Sequence, residues 1–582
     1  MKNTNSVARP DPSIFPLSEL AENCAIQYGP YVAMRTWTGE GHREMTYNQF
    51  RDWVHAIAKW LISQGIARDD RIAVLGENSP QWGAAYLAIQ TAGAIAVPVD
   101  SMMPPTGIRH IISDSGSRLL FASERFLRDL SEVAPIPTLE KVICLSECGY
   151  GGTLAFQTVI EAGAKQKVEF PKRELNEIAA ILYTSGTTGH SKGVMLTQGN
   201  IASNVAGASQ IIHVGPGDTF LSVLPIHHSF ECTCGFLLAL YCGGSITYAR
   251  SMKSADLIAD IRETKVSLMV GVPLLYEKMQ AGILRGIKKK GKTTEALFTG
   301  LYTVVKLGQK VGVNLSKAAF KSLREKGGLN SVRLFVSGGG PLDPAIADFF
   351  ISLGINMIQG YGLTETSPVT HVTPPWKTRN TCVGLPIPGV ECKLIDANEL
   401  GVGEVCIKGP NVFAGYYQNE EATKKVMTED GWFLTGDLGL IHSDGYLQIM
   451  GRCKNMLVTG GGKNIYPEEI EHHLNRSRFI AESLVLGITR QSGYGEEPAA
   501  MIYPDYEQID LYFEELGKKP TNTDVHALIK QEVQAAQEDL ADYKRIRHFR
   551  IVEEEFQKTS TKKIKRFLYK GEMLKLNGQS EQ

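Results

Sequence analysis

Ten cysteines in 582 residues, scattered from Cys24 to Cys453 without a repeated CxxC pair, fit neither a disulfide scaffold nor a zinc module. The closest pair, Cys232 and Cys234, reads as two small packing residues. No window of 18 apolar residues occurs, and the opening MKNTNSVARPDPSIFPLSEL has no apolar signal-peptide core. An excess of one charge is also missing. The 61 Lys and Arg against 62 Asp and Glu leave a net charge of -1, which argues against a nucleic-acid partner held by blanket phosphate neutralisation. Internal repeats and low-complexity tracts are absent. Together these absences predict a reduced, cytoplasmic, soluble protein whose charge effects are local, with peripheral membrane association left open.

What is present is enough apolar residue for packed cores: 43% hydrophobic against 21% charged, over a length that calls for more than one domain. From Arg71 to Ser123, short β-branched runs (RIAVLG, AIAVPVD, RLLFAS) alternate with helical spacing (SPQWGAAYLAIQTAG), the pattern of parallel βαβ units covered on both faces. The alternation returns in GSITYA, VSLMVGV and SVRLFVSGG. From about Gly384 the texture turns to short strands between Gly and Pro, and after Arg452 strands and helices mix again. The predicted class is α/β, with two α/β subdomains and a β-rich subdomain in residues 1–451 and a small mobile α+β domain in residues 452–582.

Two Lys and Gly loops compete as phosphate cradles. GIKKKGKT, Gly286 to Thr293, satisfies the G-x-x-x-x-G-K-[ST] pattern of a P-loop NTPase, yet the stretch before it is helix-like and a P-loop needs a buried strand there. Residues 281–326 carry 11 Lys and Arg against Glu295 and Glu325, so enrichment alone can produce the match. The stronger candidate is ILYTSGTTGHSKGV. An apolar strand, residues 179–183, runs into a loop where glycines admit an anion, Thr184, Ser185, Thr187 and Thr188 supply hydroxyls, and Lys192 supplies charge.

The YTSGTTGxxKG string resembles the phosphate loop of the AMP-forming adenylating superfamily of acyl-CoA synthetases, peptide-synthetase adenylation domains and luciferases. One departure is Ser191, where the family usually has Pro. The family's other motifs follow in order. The resemblance implies that Thr184, Ser185, Gly186, Thr187, Thr188, Gly189 and Lys192 bind ATP phosphates, and that SGGGPL, with Gly338, Gly339, Gly340 and Pro341, packs on adenine. In QGYGLTETS, with Gln359, Gly360 and Gly362, it implies that Tyr361 stacks on adenine, Thr364 contacts the α-phosphate and Glu365 holds Mg²⁺ as a hard oxygen ligand. Asp437 and Arg452 would bond the ribose, Lys454 would be the hinge, and Gly460, Gly461 and Gly462 would face the thiol tunnel. FQKTSTKKIKR resembles PKTxTGKIxR and assigns the catalytic lysine to Lys563, with Gln557 and Lys562 as departures.

By the same resemblance the reaction is ATP-dependent formation of an acyl-adenylate followed by thioesterification, with MgATP and CoA as cosubstrates. LPIHHSFECTCG and VGVPLLYEKM look like the long-chain fatty acyl branch. They place His228, or its neighbour His227, at the acyl entrance, and Phe230, Val272, Pro273 and Leu274 along an apolar acyl pocket. A medium- to long-chain fatty acid is therefore the expected substrate. The same chemistry with acyl carrier protein as acceptor, or with an aryl or alicyclic acid, is the alternative. The basic stretch at 281–326 reads as a solvated face or as an attractor for a membrane surface, CoA phosphates or an acidic carrier protein.

Overall fold

The structure is a computed structural model that describes residues 13–147, 149–184, 191–489, 495–559 and 563–573. It divides into two compact units, residues 1–392 with 407–433, and residues 393–406 with 434–582.

The larger unit is built on two sheets. The eight-stranded sheet has β1 (Arg71–Leu75) at its centre, with β2 (Ile95–Pro98) and β3 (Leu119–Ala122) parallel on either side. Beyond β2 lie β4 (Ile178–Thr184), parallel to β2, and β5 (Lys192–Thr197), antiparallel to β4. The nine-stranded sheet contains a parallel run of β6 (Thr219–Ser222), β7 (Leu268–Gly271), β8 (Leu334–Ser337) and β9 (Asn356–Gly362), closed by the antiparallel β10 (Val369–Val372). The interior strands β1, β2, β3, β6, β7 and β8 are apolar runs buried along nearly their whole length, as expected of parallel strands covered on both faces.

Two helices of this unit are buried almost all round, α1 (Pro80–Thr91) and α2 (Gln198–Ile211). Each is capped by its sequence. Ser79 accepts from the Trp82 N–H ahead of Pro80, and Thr197 with Asn200 forms a reciprocal capping box. Gly83 on α1 lets the Phe236 ring approach to a distance at which a Cβ would stand only 2.8 Å away. After β7 the chain runs through α3 (Pro273–Lys288) into α4 (Lys292–Lys310). The GIKKKGKT match therefore joins the end of one helix to the start of the next with no strand before it. This removes the P-loop reading.

The smaller unit carries most of a four-stranded sheet, ordered Glu391–Ile395, Gly403–Lys408, β11 (Phe433–Ile441) and β12 (Leu447–Arg452). It continues through α5 (Pro467–Leu474) into a three-stranded sheet of β13 (Ile480–Thr489), β14 (Glu496–Pro504) and β15 (His548–Ile551). The unit begins earlier than the change of texture at residue 452 suggests. The Gly436 N–H donates to Glu404 at 2.9 Å, and Val402 and Leu438 pack with Tyr466, which ties the β-rich segment to the C-terminal part of the chain. Among the described residues no helix is long and apolar enough to cross a membrane.

Candidate active site

In the larger unit the end of the β4–β5 hairpin sets Thr184 directly opposite Lys192. Ser185, Gly186, Thr187, Thr188 and Gly189 lie outside the described residues. The Lys192 ammonium stands 4.9 Å above the ring of Tyr416, whose hydroxyl donates to Glu365 Oε1 at 2.9 Å. One buried ring thus links Lys192, expected to meet ATP phosphates, to the carboxylate expected to hold Mg²⁺. Tyr416 is held there by a two-residue strand, Gly415–Tyr416, that pairs with β5. The sequence reading missed it. Its only signal was a tyrosine beside Gly415, whose φ of 134° favours glycine.

The turn carrying Thr364 and Glu365 is fixed from beneath by neutral side chains. Asn204 on α2 donates to the Val369 carbonyl at 2.6 Å and accepts from the Val369 N–H at 3.2 Å. Asn411 donates to the Thr366 and Val369 carbonyls at 3.0 and 3.2 Å, and Thr233 donates to the Ser367 carbonyl at 3.1 Å. All three are buried, so the turn's backbone groups find their partners inside the protein rather than in water. Gly362 permits the close return of the chain, since a Cβ there would run into the Pro368 carbonyl.

The residues expected around the base and the acyl chain also converge. A Cβ on Gly338 would lie 2.6 Å from the Phe230 ring, one on Gly339 3.6 Å from Val272, and one on Gly340 3.7 Å from Pro273. The loop expected to pack on adenine thus lies against three of the residues expected along the acyl pocket, while Pro341 is exposed beside them. Leu274 departs from expectation. It follows Pro273 in the first turn of α3 and is 39% exposed. Tyr361 lies with its ring centroid 6.2 Å from His371, and Gln359 donates to the Asn380 carbonyl at 2.6 Å. Gly360 pairs with Val372 across the β9–β10 ladder.

His227 and His228 sit on the loop after β6. Asn78 clamps that loop, donating to Ser222 Oγ and the Leu224 carbonyl at 2.8 and 2.6 Å and accepting from the Ile226 N–H at 2.9 Å. His227 Nε2 lies 3.1 Å from Asp100, and His228 belongs to the same cluster. Burial, with His227 beside it, pushes the His228 imidazole down to about 3, so it is neutral at physiological pH. One turn on, burial pushes the Glu231 carboxyl up to about 8, opposed only by the Ser222 hydroxyl that donates to it at 2.6 Å.

In the smaller unit Asp437 and Arg452 are register partners on β11 and β12, and the guanidinium donates to both carboxylate oxygens at 2.6 and 3.3 Å. Lys454 sits next in a short 3₁₀ turn, its ammonium pKa lowered by burial and by Arg452. Gly460, Gly461 and Gly462 form the tip of a tight hairpin in which the Gly462 N–H donates to the Thr459 carbonyl at 2.9 Å. Lys563 is exposed on a turn closed by the Thr559 N–H to Lys563 carbonyl bond of 2.8 Å and by the Lys558–Ile564 bridge. Lys562 lies outside the described residues. Arg566 anchors the segment, donating to Glu471 and, at 3.0 Å, to the Val485 carbonyl.

The chain belongs to the AMP-binding enzyme family, whose model matches residues 21–417. It is 31% identical over 470 residues to long chain acyl-CoA synthetase 7, peroxisomal, of Arabidopsis thaliana, covering 76% of this chain and just under two thirds (66%) of that protein. It is 29% identical over 559 residues to the long-chain-fatty-acid–CoA ligase FadD15 of Mycobacterium tuberculosis, covering 90% of each. Among solved structures, the anthranilate CoA ligase AuaEII in complex with anthranoyl-AMP matches with a TM-score of 0.76 at 23% identity, over 96% of this chain and 97% of that one. That last likeness is one of fold.

Proposed function

We propose that this protein is an AMP-forming ligase that joins a medium- to long-chain fatty acid to CoA. The observation that carries the reading is that Lys192, Tyr416 and Glu365 are joined by direct contacts, while Gly338 to Gly340 lie against Phe230, Val272 and Pro273 on the loop that follows β8, the strand paired with the β9 that leads to Glu365. The names of the relatives support the same choice of acid and acceptor.

In the first half-reaction a carboxylate oxygen of the acid attacks the α-phosphorus of ATP. The bond to the bridging oxygen of pyrophosphate breaks, leaving an acyl-adenylate. The obstacle is an anion approaching a polyanion, and positive charge from Lys192, and from Lys563 once brought to the reacting phosphorus, would offset it. Glu365 offers a hard carboxylate oxygen whose partner atom is already oriented by Tyr416, a donor chemistry that fits Mg²⁺. When bound, Mg²⁺ would supply charge neutralisation on the phosphate oxygens. Tyr361 would stack on the base and Asp437 would accept from the ribose hydroxyls. His228, held neutral, would present a polar edge at the acyl entrance without repelling or neutralising the acid.

In the second half-reaction the thiol sulfur attacks the acyl carbon, its proton passes to solvent, and AMP leaves. Rotation about Lys454 would withdraw Lys563 and bring Gly460 to Gly462 toward the thiol, so that one acyl site serves both steps.

The test is AMP formation from ATP with acids from acetate to palmitate and benzoate, each with CoA, with acyl carrier protein, or with no thiol. AMP released with the longer acids and CoA is the expected result. Turnover with benzoate alone would move the substrate to aryl acids, turnover with carrier protein alone would move the acceptor, and ADP in place of AMP would overturn the reading.

A further inference from the structure

The basic stretch that the site leaves unused folds into α3, α4 and two short helices, Ser316–Ala319 and Lys321–Lys326. On α4 the 3.6-residue period sorts the side chains into three faces. Phe298, Leu301, Tyr302 and Val305 pack into a hydrophobic core of the larger unit. Lys292, Thr299, Thr303, Lys306 and Lys310 form a polar face, with Lys306 lying 3.4 Å from Asp348. Between them Leu297, Val304, Leu307 and Val311 make an aliphatic stripe that is 72%, 55%, 58% and 76% exposed. Val313 and Leu315 extend it past the helix end, each 48% exposed.

Exposed single aliphatics are ordinary, but a run of them along one helix face, with two more in the turn that follows, is not. Charge surrounds the stripe. Lys288, Lys289, Lys290 and Lys292 are exposed at its N-terminal end, and residues 281–326 carry 11 Lys and Arg against two acidic residues.

We propose that α4 and the lysines before it form a docking surface for an anionic lipid bilayer. The stripe would enter the boundary between headgroups and acyl chains while the ammonium groups meet lipid phosphates. The composition favours a lipid surface over a protein partner. Protein interfaces concentrate aromatic residues and arginine and are depleted of lysine, whereas here the aromatics Phe298 and Tyr302 face the core and the outer surface is aliphatic and lysine-rich. The surface stands on these helices alone. Its use, taking up a membrane-dissolved acid, rests on the ligase reading, and the two fail in different assays.

The experiment is co-sedimentation of the full chain with vesicles of phosphatidylcholine containing about one third phosphatidylglycerol, against vesicles of phosphatidylcholine alone. Binding to the anionic vesicles, weakened about tenfold or more at high salt, is expected. Val304→Asp with Leu307→Asp, and separately Lys289→Gln with Lys290→Gln and Lys292→Gln, should each weaken it at least about fivefold. These variants should leave AMP formation from a dissolved medium-chain acid such as octanoate, assayed without vesicles, unchanged, which shows that they fold. Binding that is equal on both vesicle types, or unaffected by either variant set, overturns the proposal. So does a solution mass showing that a second copy covers the stripe, or capture by an acidic carrier protein without vesicle binding.

Discussion

Around its site the larger unit is held by neutral hydrogen bonds, and the smaller unit by ion pairs. Beneath Glu365 stand Asn204, Asn411 and Thr233, and beneath His228 stand Asn78, Ser222 and a Glu231 that keeps its proton at neutral pH. In the smaller unit the corresponding supports are Arg452 on Asp437, Arg566 on Glu471, Lys558 on Glu482 and Lys544 on Glu469. A buried amide network is rigid and indifferent to salt. Partly exposed ion pairs can be remade at modest cost and respond to salt and pH. The difference would suit the rotation proposed above, in which the supports of one unit stay fixed while those of the other are remade.

The sharpest way to separate the halves is Lys563→Ala. Its side chain is exposed and its turn is closed by backbone bonds, so the variant should fold with an unchanged melting temperature. Acyl-adenylate formation should fall by about 10²- to 10³-fold, while conversion of a supplied acyl-adenylate to the thioester stays near the parent rate. Equal loss in both steps, measured by single-turnover assays, would mean that Lys563 serves binding or folding rather than adenylation.

Asn204→Leu tests the fixed half. Asn411 still reaches the two carbonyls, but the buried Val369 N–H loses its acceptor, which should cost about 1–3 kcal/mol in chemical denaturation. Adenylation should drop about tenfold as the Glu365 turn loosens, and the ratio of variant to parent rate should not change with salt. A salt-dependent ratio would erase the contrast between the two units.

Arg566→Ala tests the smaller unit. Removing the guanidinium leaves Glu471 buried without its cation, and burial already pushes that carboxyl up to about 7. Adenylation should fall several-fold, about as much as it falls for the parent in high salt, and thioester formation should be spared. If Arg566→Ala leaves the salt response of the parent intact, the anchor of Lys563 lies elsewhere.

Much of this was legible in the chain because adenylating chemistry needs residue types at short spacings. Thr184 and Lys192 fall at the two ends of one hairpin, and Gly338 to Gly340 come directly after a buried strand. What stayed hidden acts across long separations. Asn204 and Val369 are 165 residues apart and Tyr416 and Glu365 are 51 apart, and an isolated Asn or Tyr carries no periodic signal. The apolar run VPLL looks uniform in the sequence, but a helix starts inside it and leaves Leu274 more exposed than Val272 and Pro273. The earlier start of the smaller unit was hidden for a related reason. Short Gly-punctuated strands announce a sheet, but not that Tyr466 packs against it.

The two buried carboxyls offer the finest version of the comparison. Glu471 has an arginine, whereas Glu231 has only the Ser222 hydroxyl, so at neutral pH Glu231 is stable in the fold mainly because it holds its proton. With an ordinary value near 4.5 unfolded and about 8 folded, the folded state binds more protons than the unfolded state between those limits. Its contribution to stability is therefore complete below about pH 4.5 and is lost as pH rises through about 8. Glu231→Gln keeps an acceptor for Ser222 and cannot ionise. Melting temperatures of parent and variant should thus converge or cross on going from about pH 5 to about pH 8, with the variant gaining relative to the parent by the equivalent of about 3–4 kcal/mol. Parallel pH profiles would show that Glu231 is ionised inside the fold, and the loop bearing His228 would then have to contain a cation partner for it.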